Sequence, residues 1–482
     1  MDTSPAALNF DIIAPEIVLL AVASALLLLG TLTRNKGFTV YLALAGLIVG
    51  IIVTIGQWNQ PESGFFGMVM IDNFGVLFNL IFMSAGIITI LMARQYMIQR
   101  GIDRFEFYGL LLFSTVGMMI MAASTDLLVI FLGLEIMSIP LYVMAGLARH
   151  DTASNEAAIK YFIMGAFATG FLLYGIALIY GSAETTDLQR LLTDFAFIKA
   201  NAGIYLYAGA ILVLFGFAFK IAAVPFHMWV PDVYTGAPTP VTAYFSVAPK
   251  AAGFAALLRI FVYGFPAMTE LSSLFWILAV LTMSIGNLLA IFQDNIKRML
   301  AYSSIAHAGY ILVALTAGGE GAVSSAVYYL MAYLFFNLGG FTIVTMIDSR
   351  QGSRALIAEM KGLAAKYPIL AALLALFMFA LAGFPPTAGF FGKFYVFSEA
   401  VKNDYVGLVI IAVINSFVSV YYYLRVVVVA FFGQPDQSVP LSVTYKPALV
   451  LVLLVTAAGT LLLGFFPEYI LQLTRTNVFP FI

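Results

Sequence analysis

Six of the 23 lysine and arginine residues lie inside long apolar stretches: Lys160, Lys220, Lys250, Arg259, Lys393 and Arg425. One carboxylate, Glu135 in LGLEIMSIPLYV, and one histidine, His307 in SSIAHAGY, share that setting. A lysine or arginine at the centre of a membrane helix costs roughly 2.5–3.5 kcal/mol on insertion scales. A cost repeated in this way marks groups that line a path for ions or protons. Lysine, histidine and glutamate exchange protons, whereas arginine does not under ordinary conditions. Glu135, Lys160, Lys220, Lys250, His307 and Lys393 are therefore the candidates for a proton relay. Arg259 and Arg425 suit field shaping, helix pairing or snorkelling.

Glu135 falls nine residues into a run that starts near Asp126, about 13 Å deep at 1.5 Å per residue. An opposed cation, Lys220 or Lys160, would keep such a carboxylate charged; a static ion pair is the alternative. Lys250, in SVAPKAAGF, is about ten residues into a run that holds no carboxylate. A lysine in that position is suited to gain and lose a proton. His307 has a comparable depth, and its chemistry fits either a relay or a packed core histidine. Lys160 follows the expected cap Ser154 by six residues, close enough to the interface to snorkel.

Two of these lysines stand beside prolines. In FKIAAVPFHMWVPD, Lys220 precedes Pro225 by five residues; in LAGFPPTAGFFGKF, Lys393 follows Pro385 and Pro386. A proline removes a backbone donor, freeing the carbonyls of Ile221, Leu381 and Ala382 and breaking the helix. Irregular backbone at membrane depth is tolerated only beside protein or a wet cavity. Two broken helices, each with a lysine and five spans apart, carry the signature of repeated transporter halves. Kinking for packing alone is the alternative.

These groups need membrane helices to hold them. Hydrophobic residues make up 62% of the 482, and charged residues 10%, which leaves too little polar cover for a soluble fold. Runs near the ~20 residues needed to span a bilayer occur at about 12–33, 38–57, 73–93, 106–123, 126–147, 156–181, 203–224, 240–264, 271–292, 298–317, 322–347, 369–400, 406–432 and 448–466. The expected fold is thus all-α and polytopic, with about 14 transmembrane helices, of which the seventh and twelfth are broken. If spans 4–8 correspond to spans 9–13, Lys220 pairs with Lys393, Lys250 with Arg425, and Glu135 with the neighbourhood of His307. Five helices per unit make the two repeats inverted. The expected division is 1–105 (three helices), 106–264 (first repeat), 271–432 (second repeat) and 433–482 (a helix and tail). Residues 187–198 and 354–364 are expected to form interfacial amphipathic helices, through Leu188, Leu191, Leu192 and Phe195 in one and Ile357, Met360 and Ala364 in the other.

Charge sets the orientation and narrows the chemistry. With the N-terminus outside, inside loops hold most of the remaining basic residues, among them Arg34, Lys36, Arg100, Arg149, Lys297, Arg298, Arg350 and Arg354. The outside loops hold only Arg190, Lys199, Lys402 and Arg475. That asymmetry predicts the N-terminus outside, and the acidic start predicts no cleaved signal peptide. A net charge of −1 gives no reason to expect a nucleic-acid partner. With no cysteine and three scattered histidines (His150, His227, His307), the chain offers no thiolate, iron–sulfur or clustered metal site of its own.

GLEIMSIPLYV, HMWVPDVYTGAPTPVTAYFSVAPK, KRMLAYSSIAHAGY and GFPPTAGFFGKF occur in that order. Together they resemble the antiporter-like membrane subunits of respiratory complex I, the proton-pumping NADH:quinone oxidoreductase. The resemblance covers about residues 70–430. A lysine at position 393 favours the N-type branch (subunit 2) over the M-type paralogue, and a short C-terminal segment argues against the L type. The resemblance implies 14 helices with two inverted five-helix repeats. It places the family's glutamate on Glu135, its channel lysines on Lys220, Lys250 and Lys393, and its sixth-helix lysine on Lys160. It also implies that NADH, flavin, iron–sulfur clusters and quinone belong to partner subunits, and that this chain sits among other membrane subunits, including antiporter-like paralogues, in a bacterial inner membrane. On that reading Glu135 holds the charge of Lys220 until a pulse from a neighbour separates them. The proton then passes by Lys250 and His307 to Lys393. At 4 Å and an effective dielectric of about 20 such a pair is worth roughly 4 kcal/mol. A stand-alone cation/proton antiporter, a charge-tied scaffold, and the same module in a hydrogenase or an oxidoreductase with another donor are the alternatives.

Overall fold

The computed structural model describes residues 8–32, 36–265, 269–348, 355–434 and 443–475. Helices α1 (Ala14–Leu32) and α2 (Lys36–Gly56) lead into a hairpin of β1 (Glu62–Gly64) and β2 (Val69–Ile71), then α3 (Asn73–Arg100). Next come α4 (Glu106–Ala123), α5 (Leu127–Ala145), α6 (Thr152–Ala183), the short α7 (Leu188–Thr193), α8 (Phe195–Ile221), α9 (Trp229–Gly236) and α10 (Thr239–Leu258). A second series follows: α11 (Ser272–Ile291), α12 (Ile296–Ala317), α13 (Gly319–Asp348), α14 (Leu363–Lys366), α15 (Pro368–Ala382), α16 (Ala388–Lys402) and α17 (Val406–Phe432). The chain ends on α18 (Pro447–Phe465) and α19 (Pro467–Arg475). Thirteen helices among the described residues are long and apolar enough to cross a membrane. The expected twelfth span is α15 and α16 together, interrupted between Ala382 and Ala388. The protein is therefore a multi-pass membrane protein.

Helix starts follow the chemistry of the loops. Asp72, Asp126, Asp151, Asp187 and Asn295 each accept a backbone N–H in the first turn of α3, α5, α6, α7 and α12. These short oxygen acceptors satisfy amides that have no partner within the helix. Asp151, rather than the expected Ser154, is thus the cap of α6.

Packing recurs in the two series. Helices α4 and α5 pack together, as do α11 and α12; α5 on α6 is matched by α12 on α13, and α6 on α8 by α13 on the α15–α16 pair. In both series the leading pair closes on glycine. A Cβ on Gly117 would stand 2.3 Å from the Met137 nitrogen, and one on Gly309 2.4 Å from the Met283 nitrogen. The start of α4 lies near Arg100 and Gly101, on the face that also gathers residues 148–153, 235–238 and 295–297. Just before α11, Gly264 packs on Leu188 beside the Asp126–Asp187 bridge, at the opposite face. The two five-span units therefore run in opposite senses. Helices α12 and α10 are buried along nearly their whole lengths, whereas only about a third of α1, α6 and α17 is buried. Lys250 and His307 ride on the two most central helices.

Several local expectations need correction. The amphipathic run at 187–198 is a helix only to Thr193; Leu188 and Leu191 are buried on it, while Phe195 already begins α8. Ala202, at φ −141°, is non-helical and divides α8 into a short first helix and the span proper, which starts at 203 as its hydropathy suggested. The run at 354–364 is a 3₁₀ turn (Ile357–Met360) and the separate α14, divided at Gly362 (φ +77°). Arg34, Arg350 and Arg354 lie outside the described residues, as does the Lys36 side chain. The hairpin at 62–71, the π-helical turn Arg259–Gly264 and the terminal α19 had no counterpart in the sequence reading.

The two arginines assigned to structure do structural work. Arg259 is fully buried; its guanidinium donates to both Asp72 carboxylate oxygens (2.8 and 3.0 Å) and to the Ala122 carbonyl. It ties the end of α10 to the start of α3 and the end of α4. Arg425 donates to the carbonyls of Ile291 and Gln293, where α11 ends.

On the surface, the Lys199 ammonium donates to Glu270 at 2.8 Å and holds that carboxyl down to about 2. A folded value below the unfolded one places the pair's stability above the ordinary carboxylate range and removes it only as pH falls toward 2. Exposed pairs of this kind contribute little. Glu270→Gln is expected to leave thermal stability unchanged between pH 5 and 9; a clear loss in a melting series would contradict this.

Candidate functional site

The two breaks place a lysine each at mid-membrane. Helix α8 ends at Ile221, with Ala222 at φ +64°. Thr282 accepts from the Val224 N–H, and the Trp229 indole donates to the Phe219 carbonyl, so the broken backbone stays hydrogen-bonded. Pro225, Pro385 and Pro386 all lie in these breaks, and the Val224–Pro225 and Pro385–Pro386 bonds are cis. In the second break Gly383, at φ +89°, turns the chain. Gly389 lets α16 approach α15: a Cβ there would stand 1.7 Å from the Ala380 carbonyl oxygen. The Ala382 carbonyl, one of those that the prolines were expected to free, is taken by the Lys393 ammonium at 2.9 Å. The proline pair thus creates an acceptor that the lysine uses.

Lys220 is 3% exposed. Its ammonium donates to Ser138 Oγ (2.8 Å) and the Tyr161 hydroxyl (3.3 Å) and sits over the Tyr142 ring. Ser138 follows Glu135 by three residues on α5, so both lie on one side of that helix. Glu135 accepts from the Thr169 hydroxyl at 2.9 Å and is partly exposed. It acts on Lys220 electrostatically without forming an ion pair with it among the described residues. The expected direct pair is therefore replaced by an electrostatic one: Thr169 holds Glu135, and Ser138 on the same helix holds Lys220.

Lys160 is elsewhere. It binds Glu156 (2.6 Å) and Asp232 (2.8 Å), and Asp232 also accepts from Arg298. Its side chain is 40% exposed. It joins α6 to α9 and α12 at the surface and does not oppose Glu135.

Lys250 donates to the Ser304 carbonyl (2.7 Å) and hydroxyl (2.8 Å) and forms no ion pair among the described residues. One turn further along α12, His307 Nδ1 is 2.7 Å from the Tyr329 hydroxyl and Nε2 3.1 Å from that of Tyr423. His307 lies within electrostatic reach of both Lys250 and Lys393. Lys393 also donates to Ser416 (2.8 Å), and its ammonium sits 4.8 Å over the Tyr310 ring. The Tyr310 ring meets the His307 ring edge-on. Lys250, His307 and Lys393 thus form one buried polar cluster, held together by electrostatic reach rather than by continuous hydrogen bonds. Beside Lys220 stands an aromatic wall instead: Tyr161 stacks on Trp229 at 4.4 Å, with Phe219 and Phe245 against them.

Sequence reasoning found the charged members and missed their hydroxyl partners. Ser138, Ser304, Ser416, Tyr329 and Tyr423 look like ordinary residues of apolar helices. Only the spacings Glu135–Ser138 and Ser304–His307, each three residues, could have drawn attention to two of them. Among the described residues no group of three or more His, Cys, Asp and Glu side chains is disposed to hold a metal.

Residues 124–419 match the family described as the NADH:quinone oxidoreductase/Mrp antiporter transmembrane domain. NADH-quinone oxidoreductase subunit N of Trichlorobacter lovleyi is 48% identical over 475 residues, covering 98% of this chain and 97% of that protein. A chain of respiratory complex I from Thermus thermophilus with bound Aureothin superposes with a TM-score of 0.82 at 32% identity, over 96% of this chain and 99% of that one. A chain of the Mrp complex from a Dietzia species shares the fold (TM-score 0.84, 22% identity, 98% and 97% covered). Full-length identity at that level, with both lysines at their helix breaks, shows that this chain belongs to the NADH-quinone oxidoreductase subunit N family.

Proposed function

We propose that this chain carries protons through the bilayer as the N subunit of a proton-pumping NADH:quinone oxidoreductase, using Glu135, Lys220, Lys250, His307 and Lys393. The observation that carries the proposal is the buried polar cluster in which Ser304 holds Lys250, Tyr329 and Tyr423 hold His307, and both Lys250 and Lys393 lie within electrostatic reach of that histidine. Each of its lysines is buried and donates to carbonyl or hydroxyl oxygens, not to a carboxylate. Such an ammonium can release its proton without breaking an ion pair. Glu135, partly exposed on α5, receives the signal from a neighbouring membrane subunit and passes it to Lys220. Water crossing the aromatic wall then joins Lys220 to Lys250. Lys160, with Asp232 and Arg298, guards the approach to α9 and the first break.

Residues 106–264 form the first five-helix unit and 271–432 the second; 1–105 and 433–482 flank them. The basic residues Arg100, Lys297 and Arg298 on one face support the reading that this face lies inside. The N-terminus is then outside, in a bacterial inner membrane. NADH, flavin, iron–sulfur clusters and quinone belong to partner subunits, and the assembly includes antiporter-like paralogues.

The test replaces Lys250 with methionine, which keeps most of the side chain and removes the exchangeable proton. Proton uptake and NADH oxidation are measured together in membrane vesicles, with assembly checked on a native gel. Both are expected to fall about a hundredfold in assembled complex, at the low end of what a positioned proton donor contributes. Rates near wild type in an assembled complex would refute the relay.

A further inference from the structure

Helices α1, α2 and α3 carry none of the relay residues, and close contacts fix their register. A Cβ on Gly46 would stand 2.8 Å from Val22, and one on Gly50 would meet both Leu19 (3.5 Å) and Met83 (2.8 Å). A Cβ on Gly86 would stand 3.3 Å from Leu47. Helix α2 therefore runs antiparallel to both neighbours, with Gly50 level with Leu19 and Met83. One turn toward the β-hairpin, the same faces carry Glu16 on α1, Thr54 on α2 and Asn79 on α3.

All three side chains are buried, at 5%, 0% and 4% exposed. Glu16 Oε2, Thr54 Oγ1 and Asn79 Oδ1 each lack a hydrogen-bond partner among the described residues. The Asn79 side chain lies within hydrogen-bonding reach of the Glu16 carboxyl. Buried polar atoms in native proteins are satisfied, and a buried charge is paired or coordinates a metal. No basic side chain is at hand for this one. Positions 1–33, 37–93 and 105–123 contain no lysine, arginine or histidine. Arg259, which reaches the start of α3, is committed to Asp72 and to the Ala122 carbonyl.

We propose that Glu16, Thr54 and Asn79 bind a monovalent alkali cation, Na⁺, which ties α1, α2 and α3 together at their hairpin end. A carboxylate, a hydroxyl and an amide carbonyl are donors of the kind that hard cations take. One carboxylate balances one positive charge, whereas Ca²⁺ would ask for six or more oxygens. The loop after α2 closes over the site. Gln57 donates to the Asp11 and Ile12 carbonyls (3.1 and 3.2 Å). The Asn59 N–H donates to Asn73 Oδ1 (2.9 Å), and the Asn73 amide to Asn59 Oδ1 (2.7 Å). The exposed Asp11 and Glu62 flank that loop and give a cation a favourable approach.

Thermal inactivation of the assembled complex in membrane vesicles, read as loss of the native-gel band, is compared in sodium and choline chloride at equal ionic strength. Na⁺ is expected to raise the midpoint by about 2–4 °C, as for a ligand that binds the folded form alone. Glu16→Gln is expected to abolish this Na⁺-specific shift while turnover per assembled complex stays near wild type. Thr54→Val, which keeps the shape and removes one oxygen, is expected to raise the Na⁺ concentration for half of the shift about tenfold. Equal midpoints of the wild-type complex in the two salts overturn the site, and so does an undiminished Na⁺ shift in either variant. A carboxylic-acid infrared band that Glu16→Gln removes and Na⁺ leaves unchanged would show a proton in place of the cation, which overturns it as well.

Discussion

Lys220→Ala is expected to lower NADH oxidation and proton uptake together by about a hundredfold, the low end of what a positioned proton-transfer group contributes. Among the described residues Lys220 is the lysine whose ammonium reaches Ser138, on the side of α5 that bears Glu135, and it feels the charge of that carboxylate. Next to it stands the Tyr161–Trp229 stack. Removing the ammonium therefore cuts the link between Glu135 and the interior. The structural cost is smaller. Ser138 still donates to the Leu134 carbonyl, and Tyr161 keeps its ring contacts, so the complex is expected to assemble. The decisive comparison is the turnover of assembled complex, normalised on a native gel. Wild-type rates there would make Lys220 a structural residue and leave Lys250 to be reached by another route.

Much of this was legible in the sequence because it depends on composition along a single helix. Charges inside apolar runs, prolines five spans apart and Asp126 at a helix start are local signals, and the structure has each of them. Partners are not local. Glu135 was expected to meet Lys220 or Lys160 directly, because a sequence offers carboxylates and cations but no distances. In the fold Lys220 turns to Ser138 and Tyr161, Glu135 to Thr169, and Lys160 to Asp232, 72 residues away. The hydroxyls around His307 come from α13 and α17; nothing in either helix alone distinguishes Tyr329 or Tyr423 from other buried tyrosines. Hydropathy also blurred the ends of elements. Residues 195–201 form a short helix of their own, parted from the span by the non-helical Ala202, and Gly362 splits the 354–364 run that periodicity had joined.

Arg259 was read as an arginine in a span with no carboxylate beside it; the fold brings it Asp72 from 187 residues away. Both side chains are fully buried. Arg259→Met is expected to destabilise the protein by about 3–5 kcal/mol, because it strands a buried carboxylate. Asp72 also caps α3 by accepting from the Gly75 N–H at 2.7 Å, so the stranded charge cannot simply swing to water. Adding Asp72→Asn removes the charge while asparagine keeps the capping oxygen. The double variant is expected to recover more than half of the loss, leaving about 1 kcal/mol for the Ala122 carbonyl, which loses its donor. Thermal inactivation of the solubilised complex measures all three proteins. If the double variant is as unstable as the single one, the cost lies in lost packing around the Phe74 ring beneath the guanidinium and not in charge. Turnover per assembled complex is expected to stay within about twofold of wild type in both variants, since arginine cannot serve as a proton carrier. A collapse of turnover without loss of stability would instead bring Arg259 into the transport path, against its placement at the outer end of α10.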